Sequence, residues 1–285
     1  DKFCKFCVVP YTRGAEYSRS FSEIILEAKQ LIENGAKEIT LLGQNVNAYN
    51  SENKKLSDII YKLQSIEELK RIRYTTSHPK DVTKDLINAH ADCKKLMPLL
   101  HLPVQSGSSK ILKNMNRKHN IEEYLKIIEK LKIKREHIEF SSDFIIAYPG
   151  ETEKDFHETL SLMQKVKFIN SYSFIFSPRP GTPAGELKLV ESKIAKERLR
   201  VFQNLADEIK KSYRKKLLKT ELNILFENKL KNSEQYFGRD EHYNSVIVNS
   251  NKDLTGKILK VKINEFNHNT LFGEIIDNKK IITAA

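Results

Sequence analysis

Glu38-Ile39-Thr40-Leu41-Leu42-Gly43-Gln44-Asn45-Val46-Asn47 reads as a short apolar strand that runs straight into a polar loop. Upstream, Ser20–Glu33 has helical spacing, with Ile24, Ala28, Leu31 and Ile32 on one face. It is followed by Asn34-Gly35, the residue types that most readily take the left-handed C-cap conformation. Helix, cap, strand and polar loop form a unit, and the unit recurs. Strands are predicted over Glu38–Leu42, Arg71–Thr75, Met97–Leu102, Glu139–Ile146 and Ser171–Phe176. Helices are predicted over Ser20–Glu33, Leu56–Ser65, Lys80–Ala89, Ile121–Leu131, Glu153–Val166 and Glu186–Lys216. This alternation predicts an α/β fold, a parallel sheet wrapped by helices.

Every predicted strand ends in a polar or Gly/Pro-rich loop. The later ones read Thr75-Thr76-Ser77-His78-Pro79, Pro103-Val104-Gln105-Ser106-Gly107, Tyr148-Pro149-Gly150-Glu151 and Ser177-Pro178-Arg179-Pro180-Gly181-Thr182. Barrel enzymes carry their chemistry on loops at the C-terminal ends of strands, so candidate site residues are sought there. Five strands do not close an eight-strand barrel. They suit a partial (β/α)6 TIM-like barrel whose remaining strand precedes Asp1. After about Lys219 the texture changes. Short β-branched runs at Leu222–Phe226, Ser245–Val248, Lys257–Ile263 and Thr270–Ile275 predict a small antiparallel all-β barrel. The domains expected are therefore 1–215 and 216–285.

The chain has 285 residues, a net charge of +12 and a pI near 9.3. Excess Lys and Arg attract phosphate backbones, although Lys-rich codon usage gives the same total. Between Lys196 and Lys219 nine basic residues face three acids (Glu197, Asp207, Glu208), which suits an RNA-facing basic helix or a solvated charged face. No apolar run approaches the ~20 residues that span a bilayer, so no membrane contact is expected. Three cysteines do not make a disulfide framework, and a reducing, cytoplasmic location is the expectation.

Cys4 and Cys7 are two residues apart in Asp1-Lys2-Phe3-Cys4-Lys5-Phe6-Cys7. The pair by itself is compatible with half a zinc site, a thioredoxin-like redox pair or an iron–sulfur ligand set. Zinc would need a second ligand pair, and Cys93 with scattered histidines supplies none at suitable spacing. A redox pair would open a helix, whereas Pro10 follows closely and the nearest predicted helix starts near Ser20. A cysteine directly before Asp1 would complete C-x-x-x-C-x-x-C, the spacing of a 4Fe-4S cluster with one open iron.

The wider text resembles the radical-SAM methylthiotransferases, specifically the branch acting on N6-isopentenyladenosine in tRNA. The resemblance rests on Cys4–Gly14, Leu41–Tyr49, His101–Ser108, Asp143–Ile146, Pro149–Thr152 and Phe174–Ala184, in that order, and covers nearly the whole chain. The last 70 residues resemble a TRAM domain, so the two expected domains are a radical-SAM core and a TRAM-like RNA-binding barrel. The resemblance implies that Cys4 and Cys7 bind the cluster. It implies that S-adenosylmethionine (SAM) is met by Gly43, Gln44, Asn45, Ser77, Gln105, Ser106, Ile145 and Arg179. Gly43 suits close backbone approach because it lacks a Cβ. Ser77 and Ser106 could equally cap turns, Ile145 could be plain core, and Arg179 could pair with a carboxylate or an RNA phosphate.

The implied activity adds a methylthio group to C2 of the modified adenine at position 37 of the anticodon loop. It uses SAM, the SAM-binding cluster, and a second 4Fe-4S cluster in an N-terminal domain that this sequence does not contain. Implied partners are tRNA and an electron donor such as flavodoxin or ferredoxin, and the enzyme is expected to be a monomer. A chain lacking the first cluster cysteine and the sulfur-donor domain is expected to be inactive alone. Two departures from the family text stand out, Ala147 where relatives usually carry Gly, and Ala15 where they often carry a polar residue. The alternatives are a relative acting on threonylcarbamoyl-adenosine or on an Asp of a ribosomal protein, and a non-catalytic, metal-stapled RNA-binding protein.

Overall fold

The computed structural model describes residues 4–231 and 233–276. By its contacts the chain divides into two compact units, Asp1–Asn34 with Glu38–Ile209, and Gly35–Lys37 with Lys210–Ala285.

The first unit opens with a short helix, α1 (Val9–Arg13), immediately after the cysteines. Pro10 does not prevent it, because a first-turn residue needs no N–H partner. The absence of a helix start near Cys7, expected from Pro10, is therefore corrected. Next come α2 (Phe21–Glu33), β1 (Glu38–Leu42), the hairpin β2 (Asn50–Ser51) and β3 (Lys54–Lys55), α3 (Leu56–Gln64) and β4 (Arg71–Thr75). They are followed by α4 (Lys84–Asp92), β5 (Leu99–His101), α5 (Ser109–Asn114), α6 (Ile121–Lys134), β6 (Glu139–Ile146), α7 (Glu153–Val166), β7 (Asn170–Ile175) and α8 (Ser192–Leu217). The stripe that α2 buries is Ile25, Ala28 and Ile32; Ile24 and Leu31 instead line a cleft. The helix expected over Lys80–Ala89 is a 3-10 turn at Pro79–Asp81 and then α4, which starts where the Thr83 hydroxyl accepts from the Leu86 N–H. The last helix begins at Ser192, not Glu186.

All ladders in this unit's main sheet are parallel. β1 pairs with β4, and β5 with β6 and β6 with β7. The two ladders meet at residues 95–97, where the Ile72 N–H donates to the Lys95 carbonyl (2.7 Å) and the Met97 N–H to the Ile72 carbonyl (2.9 Å). Pro98 has no N–H to continue this pairing, and the chain passes to β6 at Leu99. That is why β5 is shorter than the expected Met97–Leu102. The spatial order is thus β1-β4-β5-β6-β7. The strand expected before Asp1 lies outside the described residues.

Alternation gives the sheet two unlike faces. Leu100, Phe140, Ser142, Phe144 and Ile146 are buried. Phe144 packs on Phe168 (ring centroids 5.5 Å apart) and on Phe202 of α8 (4.8 Å). The opposite face carries His101 beside Ser141, Asp143 beside Tyr172, and Ile145 beside Phe174. Tyr172 and Phe174 are exposed.

The second unit is a closed five-strand barrel of β8 (Glu221–Lys229), β9 (Gln235–Arg239), β10 (Ser245–Asn249), β11 (Ile258–Phe266) and β12 (Thr270–Ile275), ordered β10-β12-β11-β8-β9. The expectation of a wholly antiparallel barrel is corrected, because β10 and β12 are parallel. A ring with an odd number of strands cannot alternate direction throughout, so one parallel pair is required. β9 escaped the sequence reading because Gly238 interrupts its pattern. A Cβ there would lie 2.5 Å from the Leu225 carbonyl oxygen, so only glycine lets β8 and β9 cross so closely. Ile224, Phe226, Tyr236, Val246, Val248, Leu254, Val261, Ile263 and Leu271 form its core.

Candidate cofactor-binding site

Cys4 and Cys7 lie on one turn, closed by the Cys7 N–H donating to the Cys4 carbonyl (3.0 Å). Two backbone bonds fasten this turn to the sheet's loops. The Lys5 N–H donates to the Met115 carbonyl at the end of α5, and the Ala184 N–H to the Lys5 carbonyl, each at 3.0 Å. Phe6, between the cysteines, packs with Ile145 against Ile111, Met115, Tyr148, Phe176 and Ala184. The aromatic residue of the motif therefore anchors it to the apolar ends of α5, β6 and β7.

Arg117 completes the seat. Its Nη1 lies 3.7 Å from the Cys4 Sγ and its Nη2 donates to the Pro103 carbonyl (2.7 Å). Burial lowers the guanidinium pKa, and the Cys4 sulfur opposes that shift. A buried cation beside a sulfur suits an anionic group there. Arg117 was not singled out from sequence, because Met115-Asn116-Arg117 carries no motif of its own. The turn depends on Asn116 at φ 60°, a conformation that asparagine tolerates.

The loops after β1 and β4 are laced together. The Val46 N–H donates to the Thr76 carbonyl (2.8 Å), the Asn47 amide to the His78 carbonyl (2.9 Å), and the His78 N–H back to the Asn47 Oδ1 (2.8 Å). This brings Gly43, Gln44 and Asn45 beside Ser77. The His78 ring meets His119 edge-on at 5.6 Å, two residues from Arg117. On the far side, the Gln105 N–H donates to the Asp143 carbonyl (3.0 Å) and the Ile145 N–H to the Gln105 carbonyl (2.9 Å). Gln105, Asp143 and Ile145 are thus immediate neighbours. Gln105 takes φ 76° to make this turn.

Among the described residues, buried polar atoms without a hydrogen-bond partner concentrate on these loops. They include the Asn45 Oδ1, the Ser77 Oγ, the Arg117 Nε and both ring nitrogens of His119. Burial pushes the His119 pKa down to about 3, with the Arg117 charge as a second cause, so the ring is neutral at pH 7. Unpaired buried polar atoms are costly, and a cluster of them fits a polar ligand. Thiolate donors suit an iron–sulfur cluster, and the surrounding orphaned groups suit a zwitterionic nucleoside such as SAM. Among the described residues no group of three His, Cys, Asp or Glu side chains is placed to hold a metal, so Cys4 and Cys7 provide two thiolates and no third ligand.

The other residues named from sequence have partners of their own. Ser106 is buried, and its hydroxyl accepts from the Ser108 N–H (3.1 Å) and lies 3.5 Å from the Thr159 hydroxyl, so it serves the seat of α7. Gly107 lies there too; a Cβ on it would sit 2.4 Å from the Thr159 Cα. Arg179 is exposed, and its carbonyl accepts from the Thr182 N–H (3.2 Å) and hydroxyl (2.8 Å). Gly43, Gln44 and Asn45 also line a cleft of about 720 Å³ with Arg13–Arg19 and α2. The cysteines do not line that cleft, so its size is no guide to the cluster. Glu151 was not foreseen as more than loop; its Oε1 accepts from the Ala147 N–H (3.0 Å) and from Arg198 (2.9 Å). Cys93 is buried and its thiol is pushed up to about 11 by burial.

The sequence model of the Radical SAM superfamily matches residues 1–163. The chain belongs to the radical SAM superfamily. A TRAM domain model matches residues 215–276. Radical SAM folds of known structure resemble it at low identity. Coproporphyrinogen III oxidase from Escherichia coli aligns with a TM-score of 0.54 and 13% identity, over 84% of this chain and 64% of that one. The methyltransferase TsrM from Kitasatospora setae aligns with a TM-score of 0.53 and 13% identity, over 64% of this chain and 36% of that one. Sequence relatives are much nearer. A protein of Pelagibacter ubique named tRNA-2-methylthio-N(6)-dimethylallyladenosine synthase is 58% identical over 98% of this chain. One of the same name from the Wolbachia of Culex pipiens is 51% identical over 96%. The chain spans 64% of the length of each of these two curated relatives.

Proposed function

We propose that this radical SAM chain is the SAM-handling core and RNA-binding end of a tRNA methylthiotransferase, acting at C2 of N6-dimethylallyladenosine. The observation that carries the reading is the Cys4–Cys7 turn. Phe6 and Arg117 seat it among orphaned polar groups, in a chain 58% identical to a relative of that name. Cys4 and Cys7 would hold a 4Fe-4S cluster, and Arg117 would balance its charge or that of the SAM carboxylate. Gly43, Gln44, Asn45, Ser77, Gln105 and Asp143 would bond the polar parts of SAM, and Ile145 would pack its adenine. When bound, cluster and SAM supply the reductive cleavage that makes an unactivated C–H bond reactive. The protein residues orient SAM, and Phe6 with Ile145 keeps water from its apolar side.

The barrel of the second unit would hold tRNA. Tyr243 is exposed and lies over the Arg239 guanidinium, 4.1 Å from its ring centroid, an arrangement suited to stacking an unpaired base. Tyr236 belongs to the core instead. Arg179 would meet an RNA phosphate. A second cluster donating sulfur, with a flavodoxin- or ferredoxin-type electron donor, completes the proposal for the full-length protein, working as a monomer in the cytoplasm. The test expresses the full-length gene in a bacterium lacking its own enzyme and reads tRNA nucleosides by mass spectrometry. The 2-methylthio derivative of N6-dimethylallyladenosine should return. Its absence, or methylthiolation of a threonylcarbamoyl nucleoside instead, would refute the reading.

A further inference from the structure

We propose that Tyr172 and Phe174 of β7 form an aromatic wall that seats the adenine and the apolar N6 substituent of the substrate. The inference rests on the methylthiotransferase reading and adds to it the residues that select the nucleoside. Tyr172 and Phe174 are 54% and 63% exposed, although both project from a strand of the main sheet. Large aromatics left open side by side on a sheet face make a contiguous apolar patch, the kind of surface that marks a binding site.

Register fixes which surface this is. Tyr172 lies beside Asp143 and Phe174 beside Ile145. Ile145 shares a packing cluster with Phe6 of the cysteine turn, and Asp143 adjoins Gln105 through the backbone. The wall is therefore continuous with the candidate SAM site, on the sheet face opposite the one packed on Phe168 and Phe202. Along the same strand, Ser171–Phe174 and Gln203, Ala206 and Asp207 of α8 border a cleft of about 370 Å³.

The occupant follows from the chemistry. Two aromatic rings offer a face for a flat base and apolar surface for a branched alkenyl group. Asp143 and His101 lie beside Tyr172, and Asp207 borders the adjoining cleft. The His101 ring meets Tyr172 edge-on at 6.1 Å, and its Nε2 lies 3.5 Å from the Asp143 Oδ2. That carboxylate disfavours an anionic N6 substituent such as threonylcarbamoyl and leaves a neutral prenyl group as the better fit.

The test measures binding of three anticodon stem–loop RNAs to the full-length, cluster-reconstituted protein. The RNAs carry adenosine, N6-dimethylallyladenosine or N6-threonylcarbamoyladenosine at the same position. The wild type should favour the dimethylallyl RNA over both others. Tyr172→Ala and Phe174→Ala should each cut that preference by about tenfold, the scale of one lost base–aromatic contact. Phe174→Leu, which keeps apolar contact and any packing role, should lose less. SAM affinity and iron content are read alongside. A wild type with no preference would sink the methylthiotransferase reading itself. A wild-type preference that both Ala variants retain would sink only the wall. Variants that lose thermal stability and iron but keep the preference would also overturn it, and would show that another part of the full-length chain covers these rings.

Discussion

Ala147 holds φ 58° at the end of β6, where its N–H must reach Glu151. A left-handed backbone costs an L-residue about 1–2 kcal/mol, and glycine escapes that cost. Ala147→Gly should therefore raise stability by about 1 kcal/mol, read as a higher urea midpoint; an unchanged or lower midpoint would contradict this. His90 is a second local case. It is buried, its Nε2 lies 2.7 Å from the Tyr74 hydroxyl, and its pKa is pushed down to about 3 by burial and then by Arg135. A depressed histidine pKa means that the fold binds the neutral ring. The resulting stability is present above pH 6.5 and is lost as the pH falls towards 3. His119 behaves alike. His90→Gln should flatten the decline of unfolding free energy between pH 7 and pH 4, measured by denaturant titration at several pH values. An identical slope would exclude His90 as a source of acid lability.

Helix α7 shows how one element is secured at its start. Asp155 closes a capping box with Thr152 and also accepts from the Ser108 hydroxyl (2.7 Å) and Lys110 (2.8 Å). Burial pushes its carboxyl upward, but these hydrogen bonds outweigh it and the net shift is down. Asp155→Ala should cost about 2–4 kcal/mol, from the lost cap and the buried donors left unpaired; a loss under about 0.5 kcal/mol would contradict the role. The Thr152-Glu153-Lys154-Asp155 run made this helix legible from sequence, and the structure begins it at Glu153. β1, β4 and β6 were equally legible, because apolar runs there stop at polar loops. What sequence could not show depends on distant partners. Pro98 shortens β5 because β4 lies beside it, and Gly238 permits a strand crossing that no local pattern signals. Of the residues named from loops and motifs, Gly43–Asn45 and Ser77 lie on the joined loops after β1 and β4, and Gln105 and Ile145 are neighbours on the far side. Arg117 was not named, since only folding carries it to Cys4 over 113 residues of sequence. Ser106 was named from its motif, and its bond from the Ser108 N–H could be seen only in the fold.

Across the whole molecule, the net charge of +12 overstates the cation free for RNA. Arg198 is buried on Glu151 and Glu153, and Arg214 on the carbonyls of Asn267 and Asn269. Arg200 pairs with Glu197 on the surface. Within the basic run of α8, Lys211, Lys215 and Lys216 are exposed, and RNA affinity should respond to them rather than to Arg198, Arg200 and Arg214. Converting those three lysines to Ser should weaken tRNA binding and flatten its salt dependence, whereas an unchanged salt slope would place the RNA elsewhere. No helix among the described residues is long and apolar enough to cross a membrane. Cleavage of SAM at the Cys4–Cys7 turn, with Arg117 behind it, would be read by counting 5′-deoxyadenosine formed by the anaerobically reconstituted full-length protein with a chemical reductant. The wild type should form it, Cys4→Ala and Cys7→Ala should form none, and Arg117→Met should need at least about tenfold more SAM for the same rate, the scale of a lost charge-assisted hydrogen bond. Undiminished 5′-deoxyadenosine from either cysteine variant would contradict the account.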